Sequence, residues 1–148
     1  MSNGPTEADL KQRIDDFFLA FPRGGFSAAD FEFGQKEQVR GRNPQTPIAS
    51  TYDRGLYYFL DAAACVLYVG VATKTFGSRF WPHFGETLNL QPGNEWQQAE
   101  SFQPVLLRDP TPEKLGYLAA LEAFLIATLR PRLNECVGGA PLAPLAQP

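Results

Sequence analysis

Six side chains in the second half of this chain have types and spacings that could do chemistry. Tyr57 and Tyr68 stand eleven residues apart in runs rich in aromatic and β-branched residues. Arg79 and His83 are four residues apart, so a helix would put a planar cation and an imidazole on one face. Glu122 falls among leucines, where a carboxylate must be paired, protonated or bound to a cation. Asn134 follows Pro131 at the end of the same apolar stretch. A phenol can orient or deprotonate water, an arginine fork can clamp an oxyanion, and an imidazole can relay a proton. Each residue also has an ordinary explanation: cross-strand tyrosines pack, a lone histidine beside Trp81 and Phe84 packs, and an asparagine after a helix caps or turns.

The elements that must position these groups can be read from local pattern. Gly55-Leu56-Tyr57-Tyr58-Phe59-Leu60 and Cys65-Val66-Leu67-Tyr68-Val69-Gly70 read as two antiparallel strands. A four-residue loop, Asp61 to Ala64, pairs Leu60 with Cys65, sets Tyr57 directly opposite Tyr68, and sets Gly55 opposite Gly70. The two glycines could then accept a close backbone approach. Thr75 or Ser78 could cap a short helix carrying Arg79, in which Pro82 is awkward. Phe102 to Arg108 reads as a third strand, with Pro104 pointing to an edge or a strand beginning. Thr111-Pro112-Glu113 opens the longest helix, which Pro131 stops near Leu129. Its stripe is Leu115, Leu118, Leu125, Ile126 and Leu129, and Glu122 falls inside it. A buried ion pair, a core-edge position or a metal ion would each account for that.

The remainder bounds the molecule. The 148 residues, 44% hydrophobic and 20% charged, suit one domain with a sizeable core. The formal net charge of −3 lacks the basic excess usual for a nucleic-acid binder, so such a role rests on a local patch, a partner or a further domain. Two cysteines, Cys65 and Cys136, have neither zinc nor disulfide-framework spacing, which favours a reducing, cytoplasmic setting. No secretory signal or transmembrane run is visible, so no membrane association is expected. Residues 7 to 20 read as an amphipathic helix capped by Thr6. Phe26 to Tyr52 reads as an arm over the core with one short strand or helix. Its Lys36, Arg40 and Arg42, with Arg54 beyond, are either a solvated loop or a phosphate-contacting arm. From Val137 onward Gly, Pro and Ala dominate, as in a disordered tail.

The six residues, in order and on these elements, resemble the GIY-YIG nuclease domain over roughly Arg54 to Glu135. Gly55-Leu56-Tyr57 matches the first motif and Tyr68-Val69-Gly70 the second, with mild Leu and Val replacements. Arg79, His83, Glu122 and Asn134 match the later polar positions. Some members carry a lysine directly after the second motif, where this chain has Val71; Lys74 could supply that charge. The resemblance implies an α+β sandwich, with a small three-stranded antiparallel sheet flanked by helices, to which the local pattern adds an extra N-terminal helix outside the matched region. Residues 1–53 would form the helix and arm, 54–136 the nuclease-like domain and 137–148 the tail. It implies a metal-dependent DNA endonuclease leaving a 5′-phosphate and a 3′-hydroxyl. Glu122 would bind Mg²⁺ or Mn²⁺, Arg79 would clamp the phosphate, and Tyr57 would be the general base. Its phenol would need nearby positive charge to lower its pKa. Tyr68 and His83 would orient water or phosphate, Asn134 would fix the site, and Lys74 and Gly70 would meet the substrate.

Two further functions compete with this one. The acidic balance suits a catalytically weak nucleic-acid-binding or protein-interaction module. A toxin or restriction-type nuclease, its acidic surface offset by a partner protein or DNA-binding subunit, is the other.

Overall fold

The structure, a computed structural model, describes residues 4–43, 46–82, 95–137 and 140–141. Helix α1 (Glu7–Ala20) starts where expected: the Thr6 hydroxyl accepts from Asp9 N, and the Asp9 carboxylate accepts from Thr6 N. Strands β1 (Phe31–Phe33), β2 (Glu37–Gln38), β3 (Gly55–Leu60), β4 (Val66–Ala72) and β5 (Ser101–Leu107) build one antiparallel sheet. Its order is β1-β5-β3-β4, with β2 also pairing β5. Between β4 and β5 lies the short helix α2 (Phe76–Pro82), and α3 (Pro112–Leu129) follows β5. After α3 a 3-10 turn, Arg132–Glu135, leads into two short paired strands, β6 (Cys136–Val137) and β7 (Ala140–Pro141). Those short strands fall where the tail was expected to begin; residues 142–148 lie outside the described residues.

The class is α+β, and among the described residues there are three α-helices and a sheet of five strands rather than three. The arm supplies the extra two, because Phe31–Phe33 and Glu37–Gln38 each find an open edge on β5. Pro104 therefore sits in an interior strand, not at an edge. Its missing N–H faces Gly34, between the two arm strands. Gly34 N donates to Pro104 O (3.0 Å), and the Gly34 carbonyl accepts from Gln103 Nε2 (2.8 Å) in place of the absent donor.

All six residues of β3 are buried, because both sheet faces are covered. Leu56, Tyr58 and Leu60 face α1 and α3, against Leu10, Ile14, Leu118 and Leu121. Tyr57 and Phe59 face the other way, against Phe76 and Phe80 of α2, Val39 and Ile48 of the arm, and Leu133. The Tyr58 hydroxyl donates to Glu7 (2.7 Å), which also pairs with Lys36 (3.1 Å).

The arm cations Lys36, Arg40 and Arg42 are ion-paired within the chain. Arg42 and Glu37 form an ion pair with both side chains 8% exposed (3.5 Å). Arg42 also donates to the carbonyls of Gln38, Thr46 and Pro47, and Glu37 accepts from Ala49 N. Lys36 is paired with Glu7 and Arg40 with Glu100. These side chains tie the arm to the sheet. Of the accounts offered for Glu122, the core-edge position is the one it takes. The buried centre of the α3 stripe is Leu118, Leu121 and Leu125, while Leu115 is only partly buried. Glu122, about 100° round from Leu121, lies on the flank beside the sheet edge and is half-buried.

Gly55 has φ 148°, and a Cβ there would overlap the Val105 carbonyl of β5. Gly55→Ala is expected to destabilise the fold by about 2–5 kcal/mol, combining backbone strain with overpacking. A urea-denaturation midpoint measures this, and an unchanged midpoint would contradict the close approach of β3 to β5.

Candidate functional site

The β3–β4 hairpin differs from its expected register in two places. Asp61 N donates to Cys65 O and Ala64 N to Asp61 O, each at 3.0 Å. The Asp61 carboxylate accepts from Ala63 N and Cys65 N, and Ala64 takes φ 64°. This tight turn lengthens the loop by one residue and pairs Leu60 with Val66 rather than Cys65. A β-bulge at Leu67 then adds a second one-residue shift, so Phe59 pairs with Tyr68. Tyr57 is thus opposite Gly70, not Tyr68, and Gly55 is opposite Ala72, not Gly70. A single shift would have put Tyr68 on the other face; two shifts keep both phenols on one face.

The corrected pairing gives Gly70 a definite role. A Cβ there would lie 2.5 Å from both Cζ and Oη of Tyr57, so the phenol lies across a bare backbone. The Tyr57 side chain is 0% exposed, and its ring centroid is 6.2 Å from that of Tyr68, with the planes 29° apart. Phe59, Phe76 and Phe102 wall in the remainder of the ring.

Arg79 reaches this pair from α2, whose first turn is capped by Thr75 Oγ1 accepting from Ser78 N (3.1 Å). Its guanidinium hydrogen-bonds to both tyrosine side chains, and the two phenols hydrogen-bond to each other. Glu122 reaches the group from α3, round the outer edge of β4, where its carboxylate accepts from Val71 N. Four elements thereby bring Tyr57, Tyr68, Arg79 and Glu122 into electrostatic range of one another.

Burial and charge compete inside this cluster. Burial pushes the Tyr57 phenol well above its ordinary value of 10.0, the neighbouring Tyr68 adds to the rise, and Arg79 opposes it without winning. The phenol needs nearby positive charge to serve as a base, and Arg79 supplies some, but desolvation outweighs it because the ring is enclosed on every side. Tyr68 is raised by burial and by Glu122. Glu122 is raised by burial, with the Val71 N–H and Arg79 acting against it. Arg79 is held in its charged form, first by Tyr57.

Asn134 is 4% exposed and has a structural partner. Its Oδ1 accepts from Val69 N (2.8 Å), and its Nδ2 donates to Val69 O (2.9 Å). The amide thus completes the ladder on the outer edge of β4, one residue from both Tyr68 and Gly70. Lys74 is exposed on the turn between β4 and α2. His83 lies outside the described residues.

Among the described residues, no three His, Cys, Asp or Glu side chains gather into a ready-made metal cage. The donor set still fits a hard divalent ion, which keeps several waters and can bind through one carboxylate plus substrate phosphate. Glu122 suits that role, since one backbone donor does not saturate a carboxylate with about four acceptor sites. The arm pairs, the bulge and the edge contact of Asn134 were not expected from sequence. Asp61 followed by three alanines was the available turn signal.

Asn134→Ala leaves the Val69 N–H and C=O without their partner and should destabilise the fold by about 2–4 kcal/mol. Thermal or urea unfolding tests this, and a loss below about 0.5 kcal/mol would mean that the edge is satisfied in another way. No family model matches the chain, and no curated protein shows significant similarity to it in sequence.

Proposed function

We propose that the chain is a divalent-metal-dependent endonuclease that hydrolyses DNA phosphodiester bonds, in the manner of the GIY-YIG nucleases it resembles. The observation that carries this reading is the convergence of Tyr57, Tyr68, Arg79 and Glu122 from β3, β4, α2 and α3. These residue types supply an oxyanion clamp, a proton acceptor and a cation ligand at one place. A sheet packed only for stability would be expected to fill it with apolar side chains.

In this reading the exposed Arg79 fork binds the scissile phosphate and offsets charge developing on its equatorial oxygens. Water attacks phosphorus, and the bond from phosphorus to the 3′ oxygen breaks. The hydroxide becomes part of the 5′-phosphate, and a proton ends on the 3′-hydroxyl. Mg²⁺ or Mn²⁺ held by Glu122 would supply Lewis-acid stabilisation of the leaving oxygen. Tyr57 is the base by position, yet burial keeps it protonated at neutral pH. The tyrosine pair then acts as a relay whose outer member is the more exposed Tyr68: its phenolate accepts the water's proton, and the hydrogen bond from the enclosed Tyr57 favours that phenolate. His83 belongs to this reading as a second proton carrier and Lys74 as a phosphate contact.

Plasmid DNA incubated with Mg²⁺ or Mn²⁺ tests the reading. Tyr57→Phe should slow nicking by about 10²–10⁴-fold. Glu122→Ala should slow it at least as much and remove the metal dependence. Cleavage by neither the parent chain nor the variants, on supercoiled and single-stranded DNA alike, would overturn the proposal. Binding without cleavage would favour the catalytically weak module, which the ion-paired arm and the net charge of −3 support.

The pH dependence follows from the directions of the shifts. Glu122 must be ionised, so the acid limb should lie above its ordinary value of 4.5. The raised phenols make the base form scarce at neutral pH, so the rate should keep rising on the alkaline side until the protein unfolds. A nicking rate flat from pH 6 to 9 would exclude the relay, and Tyr57→Phe should lose the alkaline rise.

A further inference from the structure

The segment that leads into β3 lies along the start of α2. Phe76 N donates to Asp53 O (2.8 Å), Gly77 N donates to Thr51 O (2.9 Å), and Asp53 N donates to Ser50 O (3.1 Å). Tyr52 stands between these pinned residues, yet its side chain is 87% exposed, more than any other large apolar side chain among the described residues. Its ring contacts no other aromatic ring among those residues, and the backbone beneath it is hydrogen-bonded on both sides.

Three cations lie on the segments that adjoin it. Arg54 precedes Gly55, which pairs with Ala72, so Arg54 lies across from the turn that carries Lys74. Arg79 is one helical turn beyond Phe76, which holds Asp53. Arg54, Lys74 and Arg79 are all exposed. Among the described residues Arg54 and Lys74 form no ion pair, unlike Lys36, Arg40, Arg42 and Arg108. Asp53 is the acidic side chain within the patch.

A single exposed tyrosine is unremarkable in itself. A tyrosine exposed on a pinned turn, with exposed cations on the adjoining segments and the clamp helix hydrogen-bonded to that turn, is arranged to meet a base and its flanking phosphates. We propose that Tyr52 stacks on an unpaired nucleobase of single-stranded DNA beside the phosphate held by Arg79, with Arg54 and Lys74 on neighbouring phosphates. The assignment of Arg79 to a scissile phosphate rests on the proposed nuclease reading. Duplex bases already stack on each other and offer no free face, so the platform selects single-stranded substrate. A ring with few rotatable bonds is immobilised at small entropic cost, and the cations add salt-dependent attraction.

Fluorescence anisotropy of a labelled single-stranded DNA of about 12 nucleotides, with the full chain in EDTA, tests this without cleavage. The parent chain should bind the single strand more tightly than a duplex of the same length. Tyr52→Ala should weaken single-strand binding about 10-fold or more and leave duplex binding unchanged, while Tyr52→Trp should restore it. Arg54→Ala and Lys74→Ala should each flatten the slope of log affinity against log salt by about 0.7. Equal affinity of the parent and Tyr52→Ala, tighter duplex binding, or no single-strand binding overturns the inference. If the parent nicks plasmid while Tyr52→Ala binds unchanged, the platform fails and the nuclease reading stands. If Tyr52→Ala loses binding and nothing is cleaved, the platform stands and the nuclease reading fails.

Discussion

The outer edge of β4 sets the constraint on which the site depends. Val69 and Val71 turn their N–H groups away from β3, and each needs a partner. Among the described residues no further strand pairs there: Asn134 serves Val69 through both amide atoms, and the Glu122 carboxylate accepts from Val71. Two side chains from the C-terminal half therefore close an edge that would otherwise be open to another strand. The same contact brings Glu122 from the helix-covered face round to the tyrosine-lined face. A polar residue flanking an apolar helix stripe thus gains a location near Arg79 without entering the core.

Desolvation governs the chemistry of the cluster. The Tyr57 phenol is buried by the aromatic rings around it and by the bare backbone of Gly70 beneath it. The charge of Arg79 partly offsets that burial and does not reverse it. Glu122, less enclosed, is raised as well. A cluster with one fixed cation and three groups held toward their neutral forms is set up to gain from a second positive charge. That is the physical content of a carboxylate poised beside two phenols.

The N-terminal third is part of the same core. Leu10, Ile14 and Phe17 of α1 pack with Leu118, Leu121 and Leu125 of α3, while the arm covers the opposite face. The buried Arg42–Glu37 pair has good geometry and several backbone partners, the condition under which buried charges are tolerated. Arg54 and Lys74, exposed and without an ion pair among the described residues, lie instead on the segments that adjoin Tyr52.

Local pattern carried much of this fold. The capped starts of α1 and α3, the stop at Pro131 and the location of β3, β4 and β5 follow from caps, periodicity and prolines that act within a few residues. The polar residues Tyr57, Tyr68, Arg79 and Glu122 could also be picked out by type, because carboxylates and arginines among apolar runs are conspicuous. The register of the hairpin could not, since the Asp61 turn and the Leu67 bulge differ from the simpler loop by one residue each and periodicity is blind to both. Nor could the partners of Lys36, Arg40 and Arg42, or the shelter of Pro104 inside the sheet, because long-range pairing decides them. By itself the sequence determined where α1, α3, β3, β4 and β5 lie and which side chains are chemically unusual, since those depend on neighbours along the chain, whereas the arm strands β1 and β2 form only by pairing with β5. Only the tertiary structure decided that Gly70 lies under Tyr57, that Asn134 and Glu122 close the β4 edge, and that burial outweighs Arg79, because these depend on strand register and solvent exclusion between distant segments.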